Sequence, residues 1–539
     1  MLTKFLEALL NTHVLFSISC IFFSIAALFS VTRQIQMLQQ NSYFPKRYTA
    51  WLKENEVNRF LIKVPLFIFY SFLNLKNNAV LLCVFVYSVV YMIACITSAV
   101  RQQKKSIIKL VFTARIKRMY TCYAVLLCAV SCLQVFVAKA DYYWFLSLAF
   151  LLALLPYIAV YILWAIMYPA EKIITKHYIK DAKKVLNSFG GRLKIVGITG
   201  SYGKTGTKNI LYKMLSEKYN TLITPKNFNT PMGVVRTVRE NMRPETEVFI
   251  CEMGAKKVGD IKELCDLVGN VDYGIITSVG PQHLDTFGDV RNVTNTKFEL
   301  YDGVKASGGT VFANTDNKYI KEKSISVDIV AYGSDSLCEF YADNIEMAEI
   351  GQSFDLHLKD ECIKVHTKLL GQHNILNIVG SAALAYTMGV SAKQIAFAVS
   401  RLSAVEHRLE LKPYIAGSTL IDDAYNANPE GCLEACKVLS RFKNKKRIIV
   451  TPGLVELGEK EYECNFNLGK EAAVCADVII LVGKQRSKPI ADGVEAGGFN
   501  KDNLYIVSSF KEASEIFTPM CNKDTVLLFE NDLPDNYLK

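Results

Sequence analysis

Apolar positions in the first 170 residues come in long unbroken runs at 13–31, 79–99, 120–139 and 143–167. Each approaches the about 20 residues that a helix needs to cross a membrane. A shorter run, 60–75, is interrupted by Lys63 and Pro65. None of the five contains Asp or Glu, so none carries the buried carboxylate of a proton relay. Beyond residue 170 the pattern changes. Short strand-like runs at 194–198, 248–251, 274–279, 418–422, 447–451, 478–482 and 525–529 alternate with stretches of helical period. That alternation predicts α/β domains.

The predicted architecture is multi-domain: an N-terminal α-helical transmembrane region followed by two α/β domains. Residues 1–170 form the transmembrane region, 171–188 a linker, 189–403 a P-loop ATPase-like central domain and 404–539 a Rossmann-like C-terminal domain.

Charge orients the first region. Arg33, Lys46, Arg47, Lys53 and Arg59 lie between the first two runs. Arg101, Lys104, Lys105, Lys109, Arg115, Lys117 and Arg118 lie between the third and fourth, and Lys172, Lys176, Lys180, Lys183 and Lys184 follow the last. The positive-inside rule puts all three segments in the cytoplasm. That requires 60–75 to cross, giving five spans with the N-terminus outside; an interfacial 60–75 leaves four. Either way the chain reads as a multi-pass membrane protein with cytoplasmic α/β domains. The net charge of +11 includes these loops, so it does not point to nucleic acid.

Six of the 15 cysteines lie in apolar runs, and the other nine are scattered without a Cys-x-x-Cys pair. They predict neither a zinc site nor a disulfide framework.

Candidate chemistry starts at the strand 194–198. It leads into Thr199-Gly200-Ser201-Tyr202-Gly203-Lys204-Thr205-Gly206, followed by a helical pattern to about Tyr219. A strand, a glycine-rich turn and a helix start form a phosphate cradle, with backbone N–H groups and the helix dipole facing the anion. Lys204 would reach the β- and γ-phosphates, and Thr205 would bind Mg²⁺. Glu252 ends a second strand at the carboxyl edge of a sheet, where α/β proteins bind ligands.

Several segments together resemble the Mur ligases of peptidoglycan synthesis. They are Gly197-Ile-Thr-Gly-Ser-Tyr-Gly-Lys-Thr205, Asn227-Phe-Asn-Thr-Pro-Met-Gly233, Glu252-Met-Gly254 and Ile276-Thr-Ser-Val-Gly-Pro-Gln-His-Leu-Asp-Thr-Phe-Gly288. Thr296-Lys-Phe-Glu-Leu300, Gly371-Gln-His-Asn374, Glu406-His-Arg408, Asp422-Asp-Ala-Tyr-Asn-Ala-Asn-Pro429 and Val455-Glu-Leu-Gly458 follow in family order. The Asp422 segment is most similar to the branch that adds D-alanyl-D-alanine to a UDP-muramoyl tripeptide.

The resemblance implies an ATP-dependent amide ligase that works through an acyl phosphate with ATP and two Mg²⁺ ions. It implies catalytic roles for Lys204, His283, Lys297 and Arg408, and metal ligation by Thr205, Glu252, His283 and Lys297, with Lys297 carbamylated. ATP would be held by Gly200, Ser201, Gly203, Lys204, Thr205, Gly206, Asn374, Asn377, Arg408, Asp423, Tyr425 and Asn426. Asn227 and Asn229 could orient the acceptor side, whereas Glu299 reads as helix surface.

The sequence also departs from the family. Its members that add D-alanyl-D-alanine begin with a small domain for the UDP-sugar, whereas here the apolar region takes that place. The acceptor is therefore read either as the UDP-muramoyl tripeptide or as a lipid-linked or other envelope carboxylate, joined to an amino acid or dipeptide amine. A third reading, from another class, is a membrane-bound ATP-binding scaffold without ligase activity.

Overall fold

A computed structural model describes residues 12–41, 43–56, 63, 78–106, 108–138, 147–282, 284–425, 428–455 and 457–532. The chain divides into two compact units, one ending at Thr175 and the other running Lys176–Asp532.

The first unit is helical. Helices Thr12–Ser30, Asn78–Lys105, Ala114–Ala138 and Ser147–Leu154 pack through apolar faces; Phe23 and Phe150, for example, sit 5.0 Å apart between ring centroids. Four stretches, Val14–Gln40, Ala79–Lys104, Ala114–Leu133 and Pro156–Asn187, are long and apolar enough to cross a membrane. Apart from Lys63, the run 60–75 lies outside the described residues.

Two sequence expectations change here. The run 143–167 is not one helix: Ser147–Leu154 ends and Pro156–Asn187 begins at Pro156. Proline lacks the N–H a continuing helix needs and disfavours helical backbone in the residue before it, yet it suits a first helical turn. Residues 171–188 are not a loose linker, because the same 32-residue helix continues to Asn187. Ala182 and Leu186 on its last turns are buried in the core of the second unit. Asp181 there pairs with Arg239 at 2.5 Å.

The second unit holds two sheets, each built from buried β-branched and aromatic runs of the kind that parallel strands require. The first has the order β2-β3-β1-β4-β5-β6-β7-β8-β9. These strands are β1 (Lys194–Thr199), β2 (Thr221–Ile223), β3 (Val248–Glu252), β4 (Tyr273–Ile276), β5 (Thr310–Asn314), β6 (Val330–Gly333), β7 (Phe340–Met347), β8 (Gln352–Leu358) and β9 (Glu361–Thr367). They run parallel as far as β7, and β7, β8 and β9 form an antiparallel meander.

The second sheet has the order β10-β11-β15-β12-β13-β14. Here β10 is Glu410–Pro413, β11 Thr419–Asp423, β12 Lys446–Thr451, β13 Val478–Val482, β14 Leu504–Val507 and β15 Thr525–Glu530. Only the β10–β11 pair is antiparallel. Three of these strands coincide with the expected runs 447–451, 478–482 and 525–529 to within a residue. Parallel strands bring all their carboxyl ends to one edge, so Thr199, Glu252 and Ile276 end side by side on the first sheet.

Candidate active site

The phosphate loop forms because β1 ends on Thr199 and the helix Lys204–Leu215 starts five residues later. Gly203 immediately precedes that helix with φ 81°, a left-handed conformation that glycine adopts without strain. Gly200 sits so close to β4 that a Cβ there would lie 2.0 Å from Thr277 Oγ1. The loop is laced to the segment after β4. Ser278 Oγ accepts from Tyr202 N at 2.9 Å, and Tyr202 Oη donates to the Pro281 carbonyl at 2.9 Å.

Lys204 Nζ folds back onto the carbonyls of Gly200 and Ser201, at 2.6 and 3.0 Å. Burial lowers its pKa to about 8, with Arg408 adding to the shift and Glu252 opposing it. One residue on, Thr205 Oγ1 donates to the Glu252 carboxylate, 3.2 Å from Oε1 and 3.1 Å from Oε2. Glu252 is 1% exposed. Asn229 Nδ2 donates to its Oε1 at 3.1 Å, and Lys208 Nζ lies 3.0 Å from its Oε2. Burial alone would raise this carboxyl, but Lys208 and Lys204 hold it below the usual carboxylate range.

Lys297, on the helix Val290–Ala306, is 1% exposed and makes no hydrogen bond or ion pair among the described residues. Burial, assisted by the charge of Lys204, pushes its amine well below the ordinary lysine value. An uncharged amine is the form able to take up CO₂ as a carbamate, so the environment of Lys297 fits that modification. Thr205 and Glu252 fit a small divalent cation: both offer oxygen, the donor hard cations prefer, beside a phosphate-binding helix start. His283 and Asn426 lie outside the described residues.

A cavity of about 790 Å³ opens along the phosphate loop; Lys204, Thr205 and Glu252 are not among the residues that line it. Gly203, Gly206, Asn374, Asn377, Arg408, Asp423 and Tyr425 all line it. Asn377 Oδ1 accepts from Thr207 Oγ1 at 3.1 Å, and its Nδ2 donates to Asn374 Oδ1 at 3.3 Å. These two amides thus brace the phosphate helix against the helix Gln372–Thr387. Arg408 stacks over the Tyr425 ring at 5.3 Å, and Tyr425 Oη accepts from Asn227 Nδ2 at 2.7 Å. Asp423 accepts from Leu409 N at 2.9 Å. Burial raises its carboxyl to about 6, with Leu409 N and Arg408 opposing.

The structure adds residues that sequence reasoning passed over. Asn314, Asp316, Asn317, Lys318 and Tyr319 line the same cavity. Their signal was legible in principle, because they follow β5 at the shared carboxyl edge. Lys208, two residues beyond the glycine-rich turn, is buried against Glu252. Glu299 is not helix surface. Its carboxylate accepts from Gly259 N at 2.8 Å and Lys262 N at 2.9 Å, capping the helix Asp260–Val268. Asp422, near the end of β11, holds His407 Nδ1 at 2.8 Å and Lys412 Nζ at 2.5 Å.

Comparison with known proteins covers this same part of the chain. The Mur ligase middle domain matches residues 198–385, and the Mur ligase glutamate ligase domain matches residues 407–529. The UDP-N-acetylmuramoyl-tripeptide–D-alanyl-D-alanine ligase of Escherichia coli K12 is 29% identical over 322 residues, 59% of this chain and 70% of that protein. The Bacillus subtilis 168 protein of the same name is 26% identical over 352 residues, 65% and 75% of the two chains. Among solved structures, MurF from Acinetobacter baumannii aligns with TM-score 0.59 at 26% identity, covering 66% of this chain and 77% of that one. MurF ligase from Thermotoga maritima in complex with ADP aligns with TM-score 0.59 at 25% identity, covering 66% and 80%. With both domains of the ligase matched, the chain belongs to the Mur ligase family of ATP-dependent peptide ligases.

Proposed function

We propose that this protein joins D-alanyl-D-alanine to a UDP-muramoyl tripeptide at the cytoplasmic face of a membrane. The observation that carries the reading is one cavity lined by Gly203 and Gly206 of the phosphate loop on one side and by Arg408, Asp423 and Tyr425 on the other, with Thr205 of the same loop bonded to Glu252. Lys204 on the loop and Arg408 on the opposite wall supply cations, and Thr205 with Glu252 supplies oxygens, which is what charge build-up on a transferring phosphoryl group requires.

In the proposed reaction a carboxylate oxygen of the acceptor attacks the γ-phosphorus and ADP leaves. The amine nitrogen then attacks the acyl carbon, orthophosphate leaves, and the ammonium product loses its proton. Lys204 leaves its loop carbonyls for the phosphates. Asn374 and Asn377 brace the nucleotide side, and Arg408 with Asp423, Tyr425 and Asn426 closes over it. Thr205, Glu252, His283 and Lys297 would hold Mg²⁺, which supplies Lewis-acid neutralisation of the phosphate oxygens. Asn227, bonded to Tyr425, places the acceptor loop against the C-terminal domain.

A second reading, a lipid-linked acceptor, is favoured by one observation. The family match begins at residue 198, and the four helices able to cross a membrane precede it. Membrane insertion of those helices would tether the ligase domains to the bilayer in which such an acceptor resides.

The ligase class is tested by orthophosphate release from ATP in detergent. Release should require both acceptor and amine, and Lys204→Ala should lower it by at least about 100-fold. ATP binding without phosphate release under every acceptor would instead favour the scaffold reading.

A further inference from the structure

One buried cation stands outside the roles above. Lys208 lies one turn beyond Lys204 on the phosphate helix, and its side chain is 1% exposed. Its Nζ sits 3.0 Å from Glu252 Oε2 and donates to the backbone carbonyl of Lys226 at 2.5 Å. Lys226 adopts φ 47°, a left-handed backbone. It opens the loop that carries Asn229, which binds Glu252 Oε1, and Asn227, which reaches Tyr425. Burying an ammonium is costly unless partners replace its water, and an apolar residue of similar size would fill the space without that cost. The charge therefore serves orientation. Lys208 fastens one oxygen of Glu252 and the start of the Asn227–Asn229 loop to a single point.

We propose that Lys208 is a positioning residue of the ligase reaction, holding Glu252 in one orientation and tying it to the 226–229 loop. The inference rests on the reading of Glu252 as a metal-holding carboxylate. A fixed positive charge 3.0 Å from that carboxylate weakens its pull on a divalent ion while fixing where it points. Loss of Lys208 therefore has two opposed effects, tighter metal binding and poorer turnover. A lysine that only filled space would change neither in that combination.

The test uses the full chain in detergent, with Lys208→Met and Lys208→Gln variants. The probe is Mn²⁺ in the presence of ADP, followed by electron paramagnetic resonance. Both variants should bind Mn²⁺ at least about threefold tighter while turnover falls at least about tenfold. In metal-free protein, trypsin should cut after Lys226 several-fold faster once the tether is gone. If Lys208→Met does not fold, Lys208→Gln, which keeps a donor for the Lys226 carbonyl but loses the charge, carries the Mn²⁺ and turnover arms of the test. Mn²⁺ affinity that stays equal or weakens in either variant, or an unchanged rate of cutting after Lys226 in Lys208→Met, overturns the proposal. Failure of the wild-type protein to bind Mn²⁺ would instead count against Glu252 as the metal-holding group.

Discussion

Lys297 shows how burial prepares a side chain for chemistry. With 1% exposure and a nearby Lys204, its amine is held well below the usual lysine value, which favours the uncharged form that can take up CO₂. If the carbamate forms there, Lys297→Ala should lose at least about 100-fold in turnover. Short carboxylic acids should restore part of it by occupying the vacated space, as a titration of activity against acetate or propionate would show. Absence of rescue at any concentration would remove the carbamate from the account. At this scale the sequence was informative where residue type and backbone pattern coincided. The glycines and Lys204 stand between a strand and a helix, an arrangement with few other uses. It was silent on Lys208, because a lysine inside a helix looks like a solvated charge until the fold brings Glu252 to it.

Among the elements, strands were the most legible, because a buried parallel strand is a short unbroken apolar run. Helix ends were less so. Pro156 splits an apolar run that hydropathy alone reads as continuous, and Pro169 sits inside the helix Pro156–Asn187 without ending it. Residues 171–188, read from the sequence as a linker, carry five lysines. The same stretch is an amphipathic helix end whose Ala182 and Leu186 are buried. Glu299 was misread for a related reason, since its partners are backbone N–H groups at the start of another helix and no periodicity reveals them. Removing that cap in Glu299→Ala leaves two N–H groups without their acceptor. It should cost about 1–2 kcal/mol, or several degrees of melting temperature measured in detergent at matched protein concentration. An unchanged melting temperature would contradict the capping role.

For the molecule as a whole, an α-helical region with four candidate spans precedes a Mur ligase core of two sheets. The order of motifs along residues 197–458 made the core legible from sequence, because many short segments had to agree in order and spacing. The acceptor was not legible. It depends on what stands in the place of a sugar-binding domain, and apolar runs carry no signature for a sugar nucleotide. The most direct test of the central claim is mass spectrometry of the product. Detergent-purified protein would be given ATP, Mg²⁺, D-alanyl-D-alanine and either UDP-muramoyl tripeptide or a lipid-linked muramoyl tripeptide. The account predicts a UDP-muramoyl pentapeptide with one orthophosphate released per bond formed. Extension of the lipid-linked substrate alone, or ATP turnover with neither substrate extended, would contradict it.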